Sequence, residues 1–240
     1  MPYEETIITE VALWKKQMLK RPSLLNRLSS ATQKKINSYI PEKVHTTLTA
    51  AIKQMIRAVL FGARKLTRSS RQAIGLKEME DKIRQTITRY RRTAAAEGGI
   101  TGAGGFLTGL ADFPLLLGIK LKMLFDIASL YGFDVKDYKE RIYILHIMQL
   151  TFSSQNHRRQ VFQQMDNWEI QKQTLPEDIH QFDWRNFQQE YRDYIDLAKM
   201  AQMLPVIGAA VGVIVNYRLI EKLGATAMNA YRMRLLQRVD

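Results

Sequence analysis

The sequence predicts an all-α fold, a multi-helix single domain spanning residues 1–240, on two main observations. Apolar residues recur at three- and four-residue spacing between the prolines and glycines that punctuate the chain. No stretch of any length alternates with the two-residue period of a half-buried strand. No repeat period is present either, so the reading is one domain of about nine or ten helices with two central glycine-bearing apolar elements, rather than a solenoid.

The elements follow in order. From Tyr3 to Lys20, Ile7, Val11, Trp14 and Met18 share one helical face, and Pro22 ends the segment. Ser23 caps a second helix to Tyr39, whose contacts are Leu24, Leu25, Leu28 and Ile36. A third runs from Pro41 to Leu66 on Val44, Leu48, Ile52, Met55, Val59 and Leu66. After the break TRSSRQAIG, a fourth covers Leu76 to Ala96 with Met79, Ile83, Ile87 and Tyr90 inward. Asp112, Phe113 and Pro114 read as the cap and opening of a helix that ends at Gly132 in the left-handed conformation. Asp137 and Glu140 have capping-box spacing ahead of YKERIYILHIMQLTF, and a Gln-rich helix is expected between Ser153 and Thr174. Pro176 breaks that helix, Asp183 caps the next, from Trp184 to Met200, and a basic helix from Ala230 to Arg238 closes the chain.

Composition narrows the function. At 46% hydrophobic residues the chain can bury a core, and with no cysteine it has neither disulfides nor thiolate metal sites, which fits a reducing compartment. Its N-terminus is acidic and lacks an apolar signal region, so a cytoplasmic protein is expected. The net charge of +13 is localised: residues 1–92 hold 20 Lys and Arg against 7 Asp and Glu, whereas residues 93–240 hold 16 of each. A basic half points to an anionic partner, lipid surface or nucleic acid. A solvated basic surface that keeps the chain soluble is the plainer reading. On the third helix Lys53, Arg57, Arg64, Lys65 and Arg68 accumulate with no acid between Glu42 and Glu78, a pattern suited to anionic headgroups. A core helix with a basic outer face gives the same pattern.

The two glycine elements are the other signal. Gly98, Gly99, Gly102, Gly104, Gly105 and Gly109 lie in a run without charge between Glu97 and Asp112, and Ala201 to Tyr217 is equally uncharged. Glycine in an apolar helix costs backbone entropy and packing surface, so such a density marks a close approach of backbones or a binding site. Gly208 and Gly212 form a G-x-x-x-G step, the spacing that brings helix backbones together. The later segment is short for a membrane span and contains Pro205, so a buried hairpin or shallow insertion fits as well.

Three motifs in sequence carry a family resemblance. They are IPEKVH before a long helix, AAAEGGITGAGGFLTGLADFPLLL with the trailing YGFD, and LPVIGAAVGVIVNY followed by AYRMRLL. Together they make the chain similar to the EcsC family of bacterial proteins over essentially its whole length. The resemblance implies a helical protein with a cytoplasmic or membrane-associated role beside an ABC exporter, and it carries over no catalytic residue.

Recognisable chemistry is sparse. His45, His146, His157 and His180 lie in separate segments without metal-ligand spacing, so neither a metal nor a cofactor is expected, and His146 reads as a core residue. The glycine run lacks the GK[ST] ending of a phosphate loop and follows a helix instead of a strand. Nucleic acid is disfavoured, because the cations are spread over several helices without interleaved aromatics. The expectation is a peripheral membrane protein, held by the five named cations and by glycine elements that pack together or dip into the bilayer. The alternatives are a soluble module binding a hydrophobic or anionic molecule between those elements, with Asp112 and Asn216 at the mouth, and an enzyme of unknown reaction.

Overall fold

The computed structural model describes residues 2–20, 42–62, 74–103, 105–153, 155–194 and 208–237. Among the described residues are nine α-helices and no strand. They are α1 (Tyr3–Leu19), α2 (Glu42–Gly62), α3 (Leu76–Ala103), α4 (Gly105–Leu130), α5 (Tyr138–Phe152), α6 (Gln155–Asp166), α7 (Trp168–Gln171), α8 (Trp184–Tyr194) and α9 (Gly208–Leu236). Two 3-10 turns, Lys172–Thr174 and Ile179–Gln181, join α7 to α8. The all-α expectation holds; the helix expected at 23–39 lies outside the described residues.

The centre is α5, in which every residue except Lys139 is buried. A helix apolar on one stripe packs on one neighbour, whereas one buried all round must be wrapped, and its polar groups must find partners inside the protein. They do. Tyr143 donates to the Ala230 carbonyl at 3.0 Å, Arg141 to the Lys136 carbonyl at 2.8 Å, and Thr151 to the Ile147 carbonyl at 2.9 Å. Asp137 caps the helix through the Lys139 N–H at 2.9 Å, as its spacing predicts. The other half of the expected capping box is absent from that role: Glu140 turns into the core and is held there by α9.

Three further expectations are corrected. The glycine run spans the junction of two helices and is largely taken up into them, since α3 continues to Ala103 and α4 begins at Gly105. Asp112 therefore falls inside α4 and is not its cap, and Pro114 sits in the helix interior. An internal proline costs about 3 kcal/mol. Eight buried apolar residues after it, from Leu116 to Ala128, provide the packing that offsets that cost. The Gln-rich segment is likewise two helices, interrupted at Asn167. The expected C-terminal helix from Ala230 is instead the last part of α9, which runs unbroken from Gly208. Gly132 does terminate α4 as predicted, at φ +81°, with the Phe133 N–H bonded to the Ala128 carbonyl at 3.0 Å.

Two arginines tie α9 to the rest. Arg232 donates through Nε to Glu80 of α3 at 2.7 Å and through Nη1 to Glu10 of α1 at 2.7 Å. Glu80 also accepts from Tyr3 at 2.6 Å and Tyr131 at 3.2 Å. Burial opposes its ionisation, but the Arg232 and Tyr3 hydrogen bonds outweigh that and hold its carboxyl below the usual range. Two residues on, Arg234 is 1% exposed and donates to Glu140 at 2.7 Å and to Glu169 of α7 at 2.7 Å. Its guanidinium lies 4.1 Å from the Phe133 ring centre and 4.4 Å from that of Tyr143. Planar charge stacked on rings and satisfied at its edges is an arrangement lysine cannot reproduce.

Above this clamp α9 runs antiparallel to α3 at close range. A Cβ on Gly224 would stand 2.7 Å from Cδ1 and 2.9 Å from Cγ1 of Ile87, so only glycine fits without moving that β-branched side chain. Gly224→Ala is expected to destabilise the protein by about 1–3 kcal/mol, and Ile87→Ala in the same chain to recover part of the loss, as read by urea denaturation.

Arg234→Met should cost about 3–5 kcal/mol at neutral pH, because it strands a buried carboxylate. Burial pushes the Glu140 carboxyl up, so removing Arg234 leaves it readier to take a proton. The deficit should therefore shrink as pH falls, and Arg234→Met with Glu140→Leu should recover most of it.

Candidate functional site

The ion pairs set the register of α3 against α9. Glu80 meets Arg232, Ile87 meets Gly224, and Arg91 meets Glu221 at 3.2 Å while stacking 4.2 Å from the Tyr217 ring centre. Beyond these contacts α3 continues to Ala103 and α9 reaches back to Gly208. Gly105 is the first residue of α4. Gly104 lies outside the described residues. Sequence reasoning singled out one G-x-x-x-G step; Gly98 with Gly102 and Gly105 with Gly109 have the same spacing.

Leu115 on α4 and Ile214 on α9 are 57% and 52% exposed, large apolar side chains in or beside segments without charge. Behind them Lys120 and Asn216 are fully buried, and the Lys120 ammonium donates to Asn216 Oδ1 at 3.2 Å. Asn216 therefore joins α4 to α9 and does not stand at the mouth of a cleft. Lys120 escaped sequence reasoning because a lysine at helical spacing reads as solvent-facing; only the pairing of α4 with α9 shows it inward. Among the described residues no helix is long and apolar enough to cross a membrane.

The basic surface is only partly within view. Lys53 and Arg57 are exposed on α2, and Arg57 lies 5.3 Å over the Trp184 ring. Arg64, Lys65 and Arg68 lie outside the described residues. The apolar stripe of α2, with Ala51, Ile52, Met55, Ile56 and Val59, is buried in the core. The apolar stripe of this helix is therefore spent on the core, and Lys53 and Arg57 face outward.

His146 sits in α5, where burial lowers its pKa to about 4. Its Nδ1 is 3.1 Å from Gln149 Oε1, and Gln149 Nε2 donates to the Tyr191 carbonyl. The amide orientation makes Oε1 the acceptor, so Nδ1 carries the proton and Nε2 is the bare acceptor. Among the described residues no group of three or more His, Asp or Glu is placed to hold a metal ion.

Comparison with known proteins bears on the whole chain. The family model described as "EcsC protein family" matches residues 5–236. The chain belongs to the EcsC family. Protein EcsC of Bacillus subtilis is 44% identical over 238 residues, covering 99% of this chain and 98% of that protein. The uncharacterized protein YdbA of Bacillus subtilis is 35% identical over 162 residues, 66% of this chain and 59% of that protein. No solved structure matches the chain significantly. The EcsC match takes in the arginine clamp, both glycine elements and the buried Lys120, so the parts just described lie within the shared domain.

Two measurements follow. Unfolded histidine titrates near 6.5 and His146 near 4, so the unfolded state binds the extra proton between these values and stability falls as pH drops through that window. Between pH 7 and pH 5 the loss should be about 2 kcal/mol, and His146→Gln should remove it from urea curves taken at both values. Asn216→Ala should cost about 1–3 kcal/mol by taking an acceptor from a buried ammonium, and Lys120→Met with Asn216→Leu should be tolerated better than Asn216→Ala alone.

Proposed function

We propose that this EcsC-family protein is a peripheral membrane protein that docks on anionic lipid through its uncharged glycine elements and the exposed cations of its basic half. The observation that carries this reading is the exposure of Leu115 and Ile214, two large apolar side chains in or beside the uncharged glycine segments of the sequence. An uncharged, apolar segment favours the headgroup and acyl boundary, and among the described residues no helix is long and apolar enough for a span. Lys53 and Arg57, with Arg64, Lys65 and Arg68, supply the long-range attraction, at about 1 kcal/mol for each cation near the surface. The role beside an ABC exporter, as an accessory factor to transport, rests on the family resemblance, and the exporter is the protein partner that reading implies.

Sedimentation with vesicles tests this. Vesicles containing about 30% phosphatidylglycerol should pellet the protein at low salt, and pure phosphatidylcholine should do so less. Lys53→Glu with Arg57→Glu should weaken low-salt binding by about thirtyfold. Leu115→Glu with Ile214→Glu should abolish the portion that resists high salt. Binding that ignores lipid charge and both pairs of substitutions would rule the reading out.

A further inference from the structure

Away from the glycine elements, a second feature of the molecule has the makings of a ligand site. A cleft of about 180 Å³ lies between the buried helix α5 and the α6–α8 segment. Its floor is one face of α5, with Ile142, His146 and Gln149 at helical spacing. Its walls are aromatic. His146 stands edge-on to Trp168 with ring centres 5.7 Å apart and to Phe187 at 5.6 Å, while Phe187 packs on Phe182 at 5.6 Å and on Tyr191 at 5.7 Å.

The polar groups on these walls define the ligand more closely. Among the described residues, the indole N–H of Trp168 and the amide oxygen of Gln164 have no hydrogen-bond partner, although both atoms are buried and both residues line the cleft. Trp168 is 2% exposed, so bulk water does not reach its donor in the ordinary way. Two residues of the cleft lining thus carry a buried, unpartnered polar atom, one a donor and one an acceptor.

Charge excludes the other ligand classes. In a chain of net charge +13 the lining contains no lysine or arginine, and its one ionised residue is the exposed Glu190. Anions have nothing to meet there. A simple quaternary cation would find rings, but it would leave the Trp168 donor unmet. For size, an apolar cavity of about 150 Å³ holds benzene, so this space takes one substituted ring or two fused ones.

We propose that the cleft is a binding site for an uncharged planar nitrogen heterocycle of one or two rings, whose edge offers an acceptor to Trp168 Nε1 and a donor to Gln164 Oε1. The rings clasp its faces, and the two polar atoms read its edge. This assignment is independent of membrane docking, since it uses no residue of the glycine elements.

The test is titration of the full-length protein with uracil and adenine, reading the indole ¹H–¹⁵N resonance of Trp168, with benzene and tetramethylammonium as controls. At least one heterocycle should shift that resonance saturably below about 10 mM. Trp168→Phe, which keeps a ring and deletes the donor, should weaken binding about tenfold or more, followed through another cleft resonance. Gln164→Met provides the same comparison from a partly exposed position, should Trp168→Phe fail to fold. No shift from either heterocycle would mean that water alone meets these groups, and would overturn the proposal. Controls that bind as tightly as the heterocycles, or a folded variant that binds as well as the parent, would overturn it equally.

Discussion

Arg232 and Arg234 are the constraint on which the rest of the molecule depends. Ionised groups in a protein interior are tolerated only when paired and hydrogen-bonded, and each guanidinium here is met by carboxylates from two other helices. Through them α9 is fastened to α1, α3, α5 and α7. Breaking one such pair costs about 3–5 kcal/mol, a large fraction of the 5–15 kcal/mol that typically holds a domain together. The clamp is therefore a device for alignment. Hydrophobic packing alone would let α9 slide by a turn along α3 at moderate cost, whereas a slide would leave four carboxylates without their partners.

Alignment has consequences far from the charges. Gly224 has room for no side chain against Ile87, and one turn further along Arg91 meets Glu221 and Tyr217. Along α9, from Gly208 to Arg234, the distance is about 39 Å at 1.5 Å per residue. The buried ion pairs lie near the C-terminal end of α9, and toward its N-terminal end lie the buried Lys120–Asn216 pair and the exposed Ile214. The membrane reading uses the second of these regions and the aromatic cleft belongs to neither.

Much of this was legible in the sequence, and the failures have physical causes. Helical periodicity located α1, α3, α5 and α8 because their apolar residues fall on one face or fill the helix. The left-handed Gly132 and the caps at Asp137 and Asp183 followed from local chemistry. Local signals misled where tertiary packing overrode them. Pro114 read as a helix start, yet α4 runs through it, and Arg232 and Arg234 read as a basic surface helix although they are buried. Nothing local separates an arginine that meets water from one that meets Glu80 or Glu140, since their partners lie 152 and 94 residues away. The glycine elements were conspicuous from the start, but periodicity does not encode what they pack against.

The most direct test of the account is a depth measurement, which the absence of native cysteine makes simple. Ile214→Cys and Ile170→Cys place single nitroxide labels in the second glycine element and beside the clamp. With phosphatidylglycerol vesicles, the label at 214 should gain accessibility to oxygen and lose it to a water-soluble nickel complex, while the label at 170 stays aqueous. Equal exposure of the two labels to the aqueous reagent, with the protein bound to the vesicles, would contradict the assignment of the glycine elements to the membrane face.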